Sequence, residues 1–184
     1  MGLPDDDISE VLVSKENIEK RVDTLGQEIG RDYAAKDLVL IGILKGAFVF
    51  ISDLIRNINL KCSVDFVATS SYGLKGTKSS GKVKLLKDVS SSVKGKDVLL
   101  VDDILDSGTT LDFLTNLFKE REPASINVCV LLSKPSRRKI NIFAKYVGFT
   151  VPNKFVVGYG LGYNEDYRNL PYVGVLKDSI WKSG

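Results

Sequence analysis

The sequence predicts an α/β protein: a twisted parallel sheet flanked by helices on both faces. Near-continuous apolar runs at residues 38–44, 98–101 and 126–132 alternate with stretches whose apolar residues recur at helical spacing. Small, charged and hydroxyl residues gather just after those runs, at the strand ends where open α/β sheets place their ligands.

Ser14 supplies an N-cap hydroxyl, and Ile18, Val22, Leu25, Ile29 and Tyr33 follow every three or four residues, which predicts a helix with a core-facing stripe. Residues 38–44 read as a buried strand, and a Lys-Gly turn leads into a second helical pattern over 47–58. Residues 64–69 alternate as a strand would. The Gly-, Ser-, Thr- and Lys-rich stretch 71–81 predicts a mobile loop, with 83–89 returning as its partner strand in a long hairpin. Residues 98–101 make the next strand, 110–120 a helix ended by Pro123, and 126–132 another strand. The basic run 134–139 reads mostly as a solvated face, and 155–159 and 172–176 as two short final strands.

The chain has 184 residues, 43% hydrophobic and 27% charged, which suits a single domain with a sizeable core. A net charge of +3, with acid at Asp5, Asp6 and Asp7, argues against a nucleic-acid partner, and no apolar run is long enough for a membrane span. Cys62 and Cys129 lie far apart in apolar or alternating segments, as buried thiols in a reducing compartment would. With no targeting segment visible, a cytoplasmic protein is expected. The absence of histidine removes Ser-His and Cys-His catalysis and histidine metal sites. Acid–base chemistry must use carboxylates, lysines or tyrosines.

The most informative segment runs from Val98 to Leu111, Val-Leu-Leu-Val-Asp-Asp-Ile-Leu-Asp-Ser-Gly-Thr-Thr-Leu. Asp102 and Asp103 stand where the apolar strand is expected to end, and Asp106 opens a turn running into a helix. Amides from Asp106 to Thr110 would point at an anion from the helix N-terminus, with hydroxyls from Ser107, Thr109 and Thr110 and close approach at Gly108. The segment contains neither a P-loop nor a dinucleotide fingerprint. Read alone, it remains either a phosphate cradle or a strand with acids at its end and an ordinary Asp-Ser-Gly turn.

That segment resembles the ribose-phosphate motif of the type I phosphoribosyltransferases. Leu44-Lys45-Gly46-Ala47, Ser70-Ser71-Tyr72-Gly73, Leu132-Ser133-Lys134 and Lys154-Phe155-Val156-Val157-Gly158-Tyr159-Gly160 look like the other signature loops of the hypoxanthine-guanine branch, in order and at similar spacing. The resemblance implies one phosphoribosyltransferase domain over 1–184: a core at about 35–160, a small hood from the N-terminal segment and about 160–184, and a flexible lid hairpin at about 70–84. It implies transfer of 5-phosphoribosyl from phosphoribosyl pyrophosphate to hypoxanthine or guanine, with Mg²⁺, in a homodimer or homotetramer.

Residue by residue, the resemblance implies that Asp106 is the general base and that Asp106, Ser107, Gly108, Thr109 and Thr110 hold the ribose 5-phosphate. Lys45, Gly46, Ser71, Tyr72 and Arg168 correspond to pyrophosphate contacts, the peptide matching Leu44-Lys45 often being cis. Lys134 corresponds to the lysine on the purine 6-oxo group, Phe155 to the stacking aromatic and Val156 to a backbone contact with the base. Asp102 and Asp103 correspond to the acids near the ribose hydroxyls and hydrated Mg²⁺. Gly162 departs from the family, which usually has aspartate there and is expected to use it for a second Mg²⁺. Gly162→Asp is therefore expected to raise activity or lower the Mg²⁺ requirement, and Glu165 and Asp166 are possible substitutes. Two competing readings are a phosphoribosyltransferase preferring xanthine and a regulatory relative with impaired catalysis, acting on RNA or DNA.

Overall fold

The structure, a computed structural model, describes residues 4–71 and 83–182, with only the backbone described at 4, 5 and 71. In chain order the elements are β1 (Ile8–Val13), α1 (Lys15–Asp32), β2 (Leu38–Leu44), α2 (Phe48–Arg56), β3 (Ser63–Ser71) and β4 (Val83–Lys87). Then come β5 (Asp97–Leu105), α3 (Thr109–Lys119), β6 (Ser125–Ser133), β7 (Tyr146–Thr150), β8 (Val156–Val157), β9 (Val173–Leu176) and a last helical turn, α4 (Asp178–Trp181). Ser14 caps α1 as expected, its Oγ accepting from the Asn17 amide at 3.3 Å.

Six strands form one sheet in the order β4-β3-β2-β5-β6-β7, parallel except for β4, which runs antiparallel to β3. Successive side chains of a strand point to opposite faces, and here both faces are buried. Leu38 and Leu40 of β2, with Leu99 and Val101 of β5, pack under α1 and α2 beside Ile18, Leu25, Phe50 and Leu54. Val39, Ile41, Val98 and Leu100 pack on the other side against Leu111, Leu114 and Phe118 of α3. This arrangement explains why those strands read as unbroken apolar runs, and it places helices on both faces.

A second, three-stranded antiparallel sheet, β1-β9-β8, joins residues near both ends of the chain. Three elements had no sequence-based expectation: β1, β7 and α4. The strand predicted at 98–101 is nine residues long, because β6 stays paired with β5 as far as Leu105↔Ser133. Asp102 and Asp103 therefore lie inside a strand and not at its end. The strand expected at 155–159 shrinks to Val156–Val157, since Gly158, Tyr159 and Gly160 all have positive φ and turn the chain out of the sheet. Most of the expected loop at 71–81, with Tyr72, lies outside the described residues, but β3 and β4 do pair as a hairpin from Ala68↔Lys87 to Ser71↔Val83.

Candidate active site

The strand order reverses at β2 and β5, since the chain builds outward to β3 and β4 on one side and to β6 and β7 on the other. Such a switch point opens a crevice at the carboxyl ends of the strands. Pairing of β2 with β5 ends at Gly42↔Val101, whereas β5 and β6 continue together. The resulting cavity, about 270 Å³, is walled by Leu44 and Gly46 on one side and by Asp102, Asp103, Asp106, Ser107, Gly108 and Thr110 on the other. The Leu44–Lys45 peptide is cis.

Two carboxylates next to one another in a strand carry an electrostatic cost. Burial, and then the neighbouring Asp103 charge, hold Asp102 well above the ordinary carboxylate range. Burial also raises Asp103, against the pull of its hydrogen bonds and the Arg168 charge. The Asp103 carboxylate presses on Gly46: a Cβ there would meet Oδ2 at 1.8 Å.

The loop after β5 is a turn stiffened by its own hydroxyls. Ser107 Oγ accepts from the Thr109 amide at 3.3 Å and lies 3.1 Å from Thr109 Oγ1. Gly108 caps α3 at φ 89°, where a Cβ would also fall 2.9 Å from the Ile140 carbonyl oxygen. The other first-turn amides have no acceptor within the helix, as at any helix N-terminus. Thr110 lines the cavity; the Thr109 hydroxyl is turned inward onto Ser107.

A larger cavity, about 960 Å³, adjoins the first and is lined by Ile104, Asp106, Lys134, Phe155, Val156, Leu161 and Trp181, among others. Asp106 and Ile104 wall both cavities. Lys134 is 7% exposed, and burial lowers its pKa. Its Nζ donates to the Lys154 carbonyl at 2.6 Å, and its amide donates to Leu105 O at 3.0 Å. Phe155 meets Tyr163 edge-on and stacks on Trp181, and Val156 is buried.

Arg137 and Lys139 are exposed, as expected of the basic run, but Arg138 is half-buried. Arg137 Nε donates to Asp106 Oδ1 at 3.3 Å. Arg138 spreads over four acceptors, the backbone oxygens of Asp106, Ile142 and Leu105 and the Ser133 hydroxyl, and so ties the acidic turn to the end of β6. A guanidinium satisfies several turn carbonyls at once, which a solvated arginine does not.

Two expected residues point elsewhere. Lys45 Nζ pairs with Glu165 Oε2 at 2.8 Å, both side chains being exposed. Arg168 donates from Nη1 to Gly160 O at 2.8 Å, lies 3.7 Å from Glu165, and lines a separate cavity of about 570 Å³ beside α1 and α2. Arg168 also fills the room at Gly162, where a Cβ would lie 2.8 Å from its Cζ. Gly162→Asp must therefore first displace Arg168, which the sequence-based expectation of a gain did not include. The Ser71 side chain and Tyr72 lie outside what the structure describes.

A parallel-sheet switch point carrying an acid-and-hydroxyl loop, beside a second pocket with a buried lysine and an aromatic, is the arrangement expected of a phosphoribosyl-transferring enzyme, and similarity to known proteins places the chain in that class. Residues 10–164 match the phosphoribosyl transferase domain family. The chain is 51% identical over 177 residues to the hypoxanthine-guanine phosphoribosyltransferase of Bacillus subtilis, covering 96% of this chain and 98% of that protein. It superposes on the crystal structure of a hypoxanthine phosphoribosyltransferase from Staphylococcus aureus with a TM-score of 0.92 at 48% identity, covering 96% of each. A hypoxanthine-guanine phosphoribosyltransferase from Bacillus anthracis gives 0.85 at 43%, covering 92% of this chain and 98% of that one. The chain belongs to the phosphoribosyltransferase family, in its hypoxanthine-guanine branch.

Proposed function

We propose that this protein transfers 5-phosphoribosyl from phosphoribosyl pyrophosphate to hypoxanthine or guanine, yielding the nucleoside monophosphate and pyrophosphate. The observation that carries the reading is Asp106, one carboxylate in the wall of both cavities. A sugar phosphate in the loop and a purine in the larger pocket would meet there.

In this reading the Ser107–Thr110 turn and the first-turn amides of α3 hold the 5-phosphate. The bond from the anomeric carbon to pyrophosphate breaks as the bond to the purine nitrogen forms, and Asp106 accepts the proton that nitrogen gives up. Lys134 donates to the 6-oxo group, where charge builds as the ring loses its proton, and this favours 6-oxopurines over adenine. Phe155 stacks on the base and Val156 offers backbone contacts. Gly46 lets the backbone approach the pyrophosphate, joined by Lys45, Arg168, Ser71 and Tyr72. Arg168 Nε is buried over Gly162 and has no hydrogen-bond partner among the described residues, so the side chain would have to swing from that place to reach a phosphate oxygen.

Mg²⁺ fits the two raised acids, since a divalent cation favours their ionised forms. Among the described residues no group of three or more His, Cys, Asp or Glu could hold a metal, so an ion beside these two acids would have to keep waters and take substrate oxygens. Bound beside Asp102 and Asp103, it would neutralise the departing pyrophosphate.

We read the β1-β9-β8 sheet as the hood over the base pocket, the β3–β4 hairpin as the base of the lid, and 1–184 as one domain. No described helix is long and apolar enough to cross a membrane, and the two free cysteines suit the cytoplasm. Self-association as a dimer or tetramer completes the proposal. The test is incubation with phosphoribosyl pyrophosphate, Mg²⁺ and each of hypoxanthine, guanine, xanthine and adenine. Nucleotide from the first two and none from adenine is expected; no product from any base overturns the reading.

A further inference from the structure

Trp181 is the only tryptophan of the chain, and it stands at the end of α4 in a C-terminal turn. Its ring stacks on Phe155 with centroids 4.9 Å apart and planes 19° from parallel, while Tyr163 meets the same phenyl ring at 89° and 5.5 Å. Two neighbours at right angles leave Phe155 little freedom to tilt. The turn is itself anchored. Leu176, at the end of β9, donates its amide to the Phe155 carbonyl at 2.9 Å, and the Lys177 amide donates to Asp7 O at 2.9 Å; within the turn the Ile180 amide donates to Lys177 O at 2.9 Å, and Lys182 bonds Asp178 Oδ2 at 2.7 Å. Trp181 also lines the cavity that holds Asp106, Lys134, Phe155 and Val156.

We propose that Trp181 is a positioning residue for the purine: it fixes the plane of Phe155 and walls the outer end of the base pocket. The inference rests on the reading of that pocket as the purine site. An aromatic free to rock loses part of its stacking on a base, whereas one held by a parallel indole presents a ready-made surface. The chain thus uses its C-terminal turn to set affinity for the base and leaves the sugar-phosphate site, on the far side of Asp106, untouched.

The experiment measures steady-state kinetics of the whole protein and of W181A, W181L and W181F, with hypoxanthine and phosphoribosyl pyrophosphate varied in turn. W181A and W181L are expected to raise KM for hypoxanthine about three- to tenfold, the range that loss of one aromatic pair implies. KM for phosphoribosyl pyrophosphate and kcat stay within twofold, and W181F restores the purine KM. The leucine variant keeps apolar bulk without a ring face, so it decides the matter if the alanine variant fails to fold. Because tryptophan emission has one source here, GMP added to the unsubstituted protein is expected to change it saturably, and ribose 5-phosphate to leave it unchanged. An unchanged purine KM in W181L overturns the proposal while leaving the function intact; a lowered one overturns it by showing that the indole competes with the base. No turnover by the unsubstituted protein overturns the purine reading, and this inference with it.

Discussion

Gly46 and Asp103 share one small space: a Cβ added to Gly46 would meet the Asp103 carboxylate at 1.8 Å, closer than any real contact allows. Gly160 closes the other side, since a Cβ there would lie 2.2 Å from the Gly46 carbonyl oxygen. The Lys-Gly turn after β2 is thus fitted against the acid of β5 across the gap where the two strands part. Gly46→Ala is expected to push Asp103 off its place and cut kcat/KM for phosphoribosyl pyrophosphate by about 100-fold, as a misplacement near 1 Å can. Overpacking of this kind costs about 1–3 kcal/mol of stability, readable in urea unfolding. Activity within threefold of the unsubstituted protein would contradict this use of Gly46.

Glu165 bridges Lys45 and Arg168, the two cations assigned to pyrophosphate. It therefore competes with the anion for both. Glu165→Gln is expected to lower KM for phosphoribosyl pyrophosphate two- to fivefold at low salt, by a margin that shrinks as salt screens the charges, with melting temperature unchanged. A raised KM would show that Glu165 contributes to binding instead.

At position 162 space and charge can be separated. Gly162→Ala asks only whether Arg168 must keep its place over the glycine, and a rise in KM for phosphoribosyl pyrophosphate is expected. Gly162→Asp displaces the same guanidinium but adds a carboxylate. A lower half-saturating Mg²⁺ in the aspartate variant than in the alanine variant would show that the added acid recruits metal; equal values would show that it does not.

Lys134 gives a pH signature. Burial lowers its pKa, so the charge that favours the 6-oxo group is lost as pH rises through a range below the ordinary lysine value of about 10.4. In that window the native state holds fewer protons than the unfolded chain, so stability rises with pH while kcat/KM for hypoxanthine falls. Lys134→Arg is expected to move the alkaline limb to higher pH. A limb that stays where it was would assign it to another group.

Much of this site was legible in the sequence because its parts are local. The strand, acids and hydroxyl turn from Val98 to Leu111 lie within one short segment, and backbone geometry alone brings them to one edge. Other parts depend on closures no spacing records: Glu165 reaches Lys45 across 120 residues, and Trp181 reaches Phe155 through a second sheet. Arg138 departs from the solvated face that Arg137 and Lys139 form, and no spacing reveals it, because a basic run has the same pattern whether it faces water or ties down carbonyls. β7 escaped notice because its Gly148, where a Cβ would fall 2.4 Å from Leu131 O, interrupts a short strand of mixed exposure.

The most direct test of Asp106 as the group joining the two cavities is turnover of Asp106→Asn with hypoxanthine, phosphoribosyl pyrophosphate and Mg²⁺. Asparagine can still accept from Arg137 and leaves the Ser107–Thr110 turn in place, but it cannot take the purine proton. The expected result is a loss in kcat of about 10²- to 10⁴-fold, with KM for phosphoribosyl pyrophosphate and melting temperature little changed. A kcat within threefold of the unsubstituted protein would contradict the role given to Asp106.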